Sequence, residues 1–94
     1  MLHVMAIIKM QPDHAAAVCA AMKEFAPKFR AEPGCLRYEV YQREGDAVVV
    51  TQETWTDKAA EAAHMSGANI AAVFAQIGSL LAAPPEIHHY SQLA

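Results

Sequence analysis

The sequence has no excess of basic residues and no long apolar run. Seven Lys and Arg stand against ten Asp and Glu, which gives a net charge of −3 over 94 residues. Nucleic-acid-binding domains usually carry a basic stripe, whereas the basic residues here are scattered. The early apolar run Val4 to Ile8 spans five residues, against the roughly 18 or more that a membrane span needs. We therefore expect neither a nucleic-acid partner nor a membrane partner.

Sequence patterns for metals, nucleotides and disulfides are also missing. The two cysteines, Cys19 and Cys35, fall on different predicted elements without metal-ligand spacing, which is typical of buried free thiols. No two histidines stand at a chelating spacing such as HxH or HxxxH, and no Gly-rich phosphate loop occurs. A secretory signal is not evident at the start of the sequence. We expect a cytoplasmic protein that uses no metal and no cofactor.

The beginning of the chain predicts a strand followed by a helix. Leu2 to Lys9 is apolar and β-branched without a breaker, which favours a strand. Pro12 suits the first turn of a helix, and Pro27 predicts a kink near the end of that helix. Between them, apolar residues recur at spacings of three and four, as on the core-facing side of an amphipathic helix. These residues are Ala15, Val18, Cys19, Met22, Phe25, Ala26 and Phe29.

Two further strands are predicted in the middle of the chain. The segment Glu32-Pro33-Gly34-Cys35 predicts a type II turn, with Pro at its second position and Gly at its third. Cys35 to Arg43 then alternates as a strand, on which Leu36, Tyr38 and Val40 share one face. A short connection leads to the third strand, Ala47 to Thr56.

The last part of the chain predicts helices and a final strand. Asp57 is a good N-cap for a helical stretch from Lys58 to about Met65. Ser66-Gly67 interrupts it, a second amphipathic stretch follows, and Glu86 to Ser91 is a final strand. The order βαββαβ predicts one α+β domain over residues 1–94. Its plan is ferredoxin-like, a four-stranded antiparallel sheet with the helices on one face.

Strands one and three are apolar on both faces. In the first strand Met5 and Ile7 alternate with other apolar residues. In the third strand Val48 and Val50 point to one face and Val49 to the other. Helices cover only one face of such a sheet, and soluble monomers seldom expose a contiguous apolar patch. The simplest cover is the same face of a second copy, so we expect a homodimer with its sheets packed together.

Glu53, Trp55 and His64 are candidates for a functional site. Glu53 and Trp55 lie two apart on the third strand and share a face, and His64 follows on the next helix. An imidazole that titrates near neutral pH suits a base, a carboxylate suits an orienting group, and an indole suits a flat wall for a ring. Each residue type also has an ordinary structural role. Trp55 would then be a core residue, His64 a half-exposed packing residue, and Glu53 a cross-strand partner of a cation.

Arg37, Tyr38 and Tyr90 are candidates for substrate binding. Arg37 is the one basic residue in the middle of a predicted strand, where it would either anchor an anion or pair with Glu39 or Glu53. Tyr38 and Tyr90 are suited to line a pocket, although tyrosines favour strands in any case.

Two segments resemble the signatures of the antibiotic biosynthesis monooxygenase family. The run from Glu32 to Val40, EPGCLRYEV, resembles its turn-and-strand signature. The run from Glu53 to Asp57, ETWTD, followed by His64 and Ser66, resembles its second one. A Pro-Pro pair before a last strand that holds Tyr90 also fits. The resemblance extends over essentially the whole chain.

The resemblance implies a dimeric α+β barrel with a pocket between sheet and helices in each subunit. It implies a monooxygenase, needing no metal, flavin or haem, that oxidises a small aromatic quinol or polyketide-like phenol with dioxygen. It carries over His64, Glu53 and Trp55 as catalytic residues. Relatives that degrade haem have an Asn on the first strand, which residues 1–9 lack. Two alternatives stay open, an isomerase of a phosphorylated signalling sugar and a dimeric binding protein without catalysis.

Overall fold

Four strands and three α-helices follow one another in the order that the sequence predicts. The structure is a computed structural model that describes residues 1–94. The strands are β1 (Leu2–Lys9), β2 (Cys35–Gln42), β3 (Val48–Trp55) and β4 (Glu86–Tyr90), and the helices are α1 (Ala15–Arg30), α2 (Lys58–Met65) and α3 (Ala68–Ile77). Single 3₁₀ turns lie between β1 and α1 (Pro12–His14) and between α3 and β4 (Gly78–Leu80). No helix has both the length and the apolar character to cross a membrane.

The strands form one sheet in the order β2-β3-β1-β4, with every neighbouring pair antiparallel. This arrangement confirms the predicted α+β, ferredoxin-like fold. The register places Tyr38 of β2 beside Glu53 of β3, and Glu53 beside Val4 of β1. Side chains of directly opposite residues lie within contact distance on one face of a sheet. A polar pair, Tyr38 and Glu53, is thereby set into a mainly apolar surface.

The helices cover one face of the sheet. Val4, Ala6 and Ile8 of β1 point to this face and are buried, together with Val49 of β3. They join buried residues of α1 and α3 in one core, among them Val18, Met22, Phe25, Phe29, Val73 and Ile77. On the other face, Met5 and Ile7 of β1 are only half-buried within the chain. The apolar character of that face agrees with the sequence pattern, and the homodimer inferred from it stays a prediction.

A β-bulge at the start of β2 changes one predicted face. The register shifts between Cys35 and Arg37, and a bulge leaves one residue out of the alternation. Leu36, at this bulge, is 55% exposed, and the prediction that it shares one face with Tyr38 and Val40 is wrong. An extra residue in one strand cannot be read from alternation, because the pattern on either side of it remains regular.

The turn before β2 is held tightly against α2. Gly34 has a φ of +81°, which glycine adopts without strain, and the Cys35 amide donates to the Glu32 carbonyl at 3.1 Å. A Cβ at Gly34 would lie only 2.5 Å from the Cβ of Ala60. Asp57 caps α2 as predicted, since its Oδ1 accepts from the Ala60 amide at 2.8 Å. The turn and the start of α2 therefore form one packed unit.

Candidate functional site

A cavity of about 290 Å³ lies between the sheet and the helices. Ten of its 13 lining residues are hydrophobic, among them Met22, Phe29, Ile70, Val73 and Phe74. Met65 of α2 and Ile87 of β4 also line it and are themselves exposed, so they form its rim. The remaining three lining residues are Tyr38, Glu53 and His64. Ligand sites are typically apolar cavities with a few polar groups, at volumes of roughly 300–1,000 Å³, so this cavity suits a small ligand.

Glu53 is fixed by its own strand. Its Oε2 accepts a hydrogen bond of 2.6 Å from the Thr51 hydroxyl, and its Oε1 accepts one of 3.0 Å from Nε1 of Trp55. The Thr51 hydroxyl in turn accepts from the backbone amide of Ala6 at 2.9 Å, so its own hydrogen is free to point to Glu53. The three side chains lie at alternate positions of β3 and share one face. No cation pairs with Glu53, contrary to the structural role considered for it above.

His64 is packed among aromatic rings on the inner side of α2. Its ring centroid lies 4.6 Å from that of Trp55 with an interplanar angle of 31°, and 5.0 Å from that of Phe29 in an edge-on arrangement. Only 2% of the residue is exposed, so the expectation of a half-exposed packing residue is wrong. A ring that is packed on both sides has little freedom to tilt. Such restriction suits a base, which must be held in a fixed orientation to its substrate.

Glu32 and Asn69 complete the surroundings of His64. Nδ1 of His64 lies 2.9 Å from Oε1 of Glu32, and Nδ2 of Asn69 donates to Oε2 of Glu32 at 3.0 Å. Sequence reasoning missed both residues, because the contacts join positions that are 32 and 37 residues apart. Glu32 did carry a local signal as the first residue of the predicted turn. Nothing in its spacing pointed to His64.

Tyr38 supplies a hydroxyl to the cavity. Burial, with a further contribution from the charge of Glu53, raises the pKa of the Tyr38 hydroxyl far above its ordinary value. The group therefore stays protonated and can donate a hydrogen bond. Its ring packs on Phe29 with centroids 4.9 Å apart. Tyr38 is the one predicted binding residue that the structure brings to the cavity.

Trp55 does not form a wall of the cavity. Its side chain is fully buried, at 0% exposure, and it is absent from the cavity lining. The prediction that the indole faces a ring of the ligand is therefore wrong, and its placement in the core is confirmed. Trp55 stands behind the polar groups, where it donates to Glu53 and stacks on His64.

Arg37 and Tyr90 lie on the opposite face of the sheet. Arg37 pairs with Thr54 in the ladder and Tyr90 with His3, so neither side chain points to the helices. Nε of Arg37 donates to Oε1 of Glu39 at 2.6 Å, and its Nη2 donates to Gln52 at 2.7 Å. Their prediction as cavity residues is wrong within the chain, and the alternative pairing of Arg37 with Glu39 is confirmed. Because side chains alternate along a strand, Tyr38 and its neighbour Arg37 necessarily point to opposite faces.

The chain is similar to one protein family and to several solved structures. The family model described as antibiotic biosynthesis monooxygenase matches residues 1–76. A solved structure named as an antibiotic biosynthesis monooxygenase is 24% identical, with 100% of each chain covered and a TM-score of 0.92. A Pseudomonas aeruginosa protein is 29% identical, with 99% of this chain and 94% of that one covered and a TM-score of 0.89. No curated protein sequence matches the chain.

A third solved structure comes from Caulobacter crescentus and is named as a candidate antibiotic biosynthesis monooxygenase. It is 26% identical, covers 99% of this chain and 90% of its own, and has a TM-score of 0.89. All three structures are matched along nearly their whole length. The similarity therefore extends over the sheet and the helices that enclose the cavity.

Proposed function

Because this chain belongs to the antibiotic biosynthesis monooxygenase family, we propose that it oxidises a small aromatic quinol or polyketide-like phenol with dioxygen, without a cofactor. Membership is compatible with monooxygenase-type activity at the level of the family. One observation supports the finer proposal: the cavity is apolar except for Tyr38, Glu53 and His64, each of which can donate or accept a hydrogen bond. Such a lining suits a flat ring that bears hydroxyl groups.

The first step of the proposed reaction is removal of a proton from a ring hydroxyl. His64 accepts the proton, and the resulting phenolate is a much stronger reductant than the phenol. It gives one electron to dioxygen, the two radicals combine in a C–O bond at a ring carbon that carries hydrogen, and the resulting peroxide takes the proton back from His64. Apolar walls exclude water from these intermediates. A base in this role typically contributes about 10²–10⁴-fold to the rate.

The remaining steps balance without an external reductant. The O–O bond of the ring-bound hydroperoxide breaks, the ring carbon loses its hydrogen as a proton, and a carbonyl forms while water leaves. Conversion of that carbon to a carbonyl, with the original phenol becoming the second carbonyl, removes four electrons from the ring. Reduction of dioxygen to one carbonyl oxygen and one water takes up four electrons. The substrate itself is therefore the reductant, so the proposed reaction needs no redox cofactor.

Tyr38 and Glu53 are proposed to bind the hydroxyl groups of the ring. The protonated hydroxyl of Tyr38 donates to the phenolate oxygen and stabilises its charge. Glu53 accepts from a second hydroxyl and thereby raises the electron density of the ring. Trp55 makes no proposed contact with the substrate. Its role is to hold Glu53 and the ring of His64 in place.

The lining of the cavity argues against one of the two alternatives. No Lys or Arg lines it, and a sugar phosphate would call for such groups, so the isomerase is disfavoured. A binding protein without catalysis would use the same apolar lining. Turnover alone separates it from an enzyme.

The second copy in the proposed homodimer covers the open face of the sheet. Its apolar strip, Met5, Ile7 and Val50, is half-buried within one chain and is flanked by polar side chains. Two-fold packing places this strip against itself. A stable interface of this kind buries at least about 1,200 Å² in total.

Dioxygen uptake by the purified protein tests the proposed function. The substrates are a panel of benzene quinols and hydroxynaphthalenes, with a sugar phosphate isomerisation assay run in parallel. Uptake with insertion of one oxygen atom into the product, as in the conversion of a hydroxynaphthalene to a naphthoquinone, supports the oxygenase. Isomerisation without uptake supports the alternative enzyme, and silence in both assays, with a hydroxynaphthalene bound, supports a binding protein.

A further inference from the structure

We propose that Glu32 is a positioning residue that holds His64 in the tautomer protonated at Nδ1, leaving Nε2 as the proton acceptor that faces the cavity. This inference rests on the proposed function, since it names which atom of the site takes the substrate proton. It also assigns a role to a carboxylate that does not line the cavity between sheet and helices.

The Glu32 contact determines which nitrogen of His64 carries hydrogen. Oε1 of Glu32 lies 2.9 Å from Nδ1, which is a hydrogen-bond distance. An ionised carboxylate only accepts hydrogen bonds, so the hydrogen must belong to Nδ1. A neutral imidazole carries one hydrogen, and Nε2 is then left with a free lone pair. Bases in many active sites are oriented by a third group in this way.

Nε2 of His64 is free and reachable. Nε2 makes no hydrogen bond within the chain. Every fully buried side-chain nitrogen or oxygen in the chain makes at least one, so Nε2 is not fully buried. The small accessible part of His64 therefore includes Nε2. Because the two ring nitrogens point away from each other, the Nδ1 contact with Glu32 turns Nε2 in the opposite direction. His64 lines the cavity and Glu32 does not, so we take Nε2 as the nitrogen that faces it.

Glu32 is itself held on both oxygens. Oε2 accepts from Nδ2 of Asn69 at 3.0 Å, in addition to the His64 contact on Oε1. Glu32 stands in the turn that Gly34 fixes against α2, and Asn69 belongs to the first turn of α3. Three separate segments thus meet at one carboxylate whose side chain is only 16% exposed. A group anchored in this way can set the direction of the imidazole.

Glu53 is the other possible acceptor in the cavity, and its contacts favour His64. Both oxygens of Glu53 already accept hydrogen bonds, from Thr51 and Trp55. A proton placed on either oxygen would face a donor and weaken that bond. Nε2 of His64 has no such competitor, so the proton goes to His64 and Glu53 remains an acceptor for a second hydroxyl.

The side-chain ¹⁵N spectrum of His64 tests this inference without any need for turnover. In the wild type, at a pH where the shifts report a neutral ring, we expect Nδ1 protonated and Nε2 unprotonated. Addition of 1-naphthol should move the Nε2 resonance far more than that of Nδ1. In Glu32→Ala the population should shift to the tautomer protonated at Nε2. Glu32→Gln keeps a carbonyl acceptor and should keep the wild-type tautomer, which guards against a loss of folding in the Ala variant.

Kinetics provide the second readout. We expect Glu32→Ala to lower kcat by about 10- to 100-fold, a part of the contribution of a general base, with little change in KM. Glu24→Ala is the matched control for Glu32→Ala, since Glu24 is an exposed residue of α1 without a side-chain partner, and it should behave as wild type.

A wild-type ring protonated at Nε2, or an unchanged tautomer in Glu32→Ala, would overturn the inference. A changed tautomer with unchanged kcat would overturn it as well. The expected tautomer and naphthol response in a protein that consumes no dioxygen would support the positioning of His64 and refute the proposed oxidation instead.

Discussion

Nε1 of Trp55 donates a 3.0 Å hydrogen bond to Oε1 of Glu53, two residues earlier on the same strand. Both side chains are buried, and the indole also stacks on His64. One residue without access to the cavity therefore fixes two residues that line it. The relationship makes Trp55 a support for the site rather than a surface of it.

Trp55→Phe should lower stability and leave ligand affinity nearly unchanged. The ring can still stack on His64, but one oxygen of the buried Glu53 loses its donor, which costs about 1–3 kcal/mol. Urea unfolding measures the loss of stability, and calorimetric titration with 1-naphthol measures the affinity. A large loss of affinity without a loss of stability would contradict this account and indicate that Trp55 contacts the ligand.

Tyr38→Phe and Arg37→Ala should differ sharply, although the residues are neighbours. Tyr38 lines the cavity, so removal of its hydroxyl should weaken naphthol binding by about 0.5–1.5 kcal/mol. Arg37 points to the other face, where it binds Glu39 and Gln52, so its removal should leave binding by the folded protein unchanged. Calorimetric titration of both variants compares them. Equal losses would place both side chains at the ligand.

Stability should fall at alkaline pH because of Tyr38. The pKa of its hydroxyl is raised in the folded protein, by burial first and by the charge of Glu53 second. In the unfolded chain a tyrosine hydroxyl has a pKa of about 10. The stabilising contribution is therefore complete below that pH and is lost as the pH rises above it. Thermal unfolding between pH 8 and 11 should show a decline that is smaller in Tyr38→Phe. An identical decline in both proteins would contradict this assignment.

Ile7→Glu should convert the proposed homodimer to a folded monomer. The charge would lie in the middle of the open sheet face, and burying it against a second copy without a partner is unfavourable. Leu36→Glu is the matched control, because Leu36 is exposed at the bulge, and it should stay dimeric. Light scattering coupled to size exclusion gives both masses. A wild-type mass near the 10.2 kDa of one chain would contradict the dimer itself.

Periodicity predicted the fold well, and it predicted the site only in part. Helical and strand periods are local, so the elements, the Asp57 cap and the turn at Gly34 could be read directly. The facing of each side chain follows from alternation only where no bulge intervenes, as Leu36 shows. Glu53 and His64 were found because chemistry and proximity to one strand end pointed to them.

Glu32 and Asn69 could not be found in this way. They approach His64 from the turn before β2 and from α3, and these approaches depend on how a turn packs on α2. The burial of Trp55 has the same origin, since sharing a face with Glu53 does not say which of the two reaches the cavity. The contacts of Glu32 and Asn69 with His64 and the burial of Trp55 both depend on three-dimensional packing, which produces no periodic pattern in the sequence.

Dioxygen consumption by chelator-treated protein, compared with its His64→Ala variant, tests the central claim most directly. Loss of the buried imidazole should also cost about 2–4 kcal/mol of stability, so rates are referred to the folded fraction. We predict that the wild type consumes dioxygen with a quinol or hydroxynaphthalene after metal removal, and that the variant is slower by about 10²–10⁴-fold. Abolition of uptake by the chelator with recovery on addition of one metal, or full activity in the folded variant, would contradict the account.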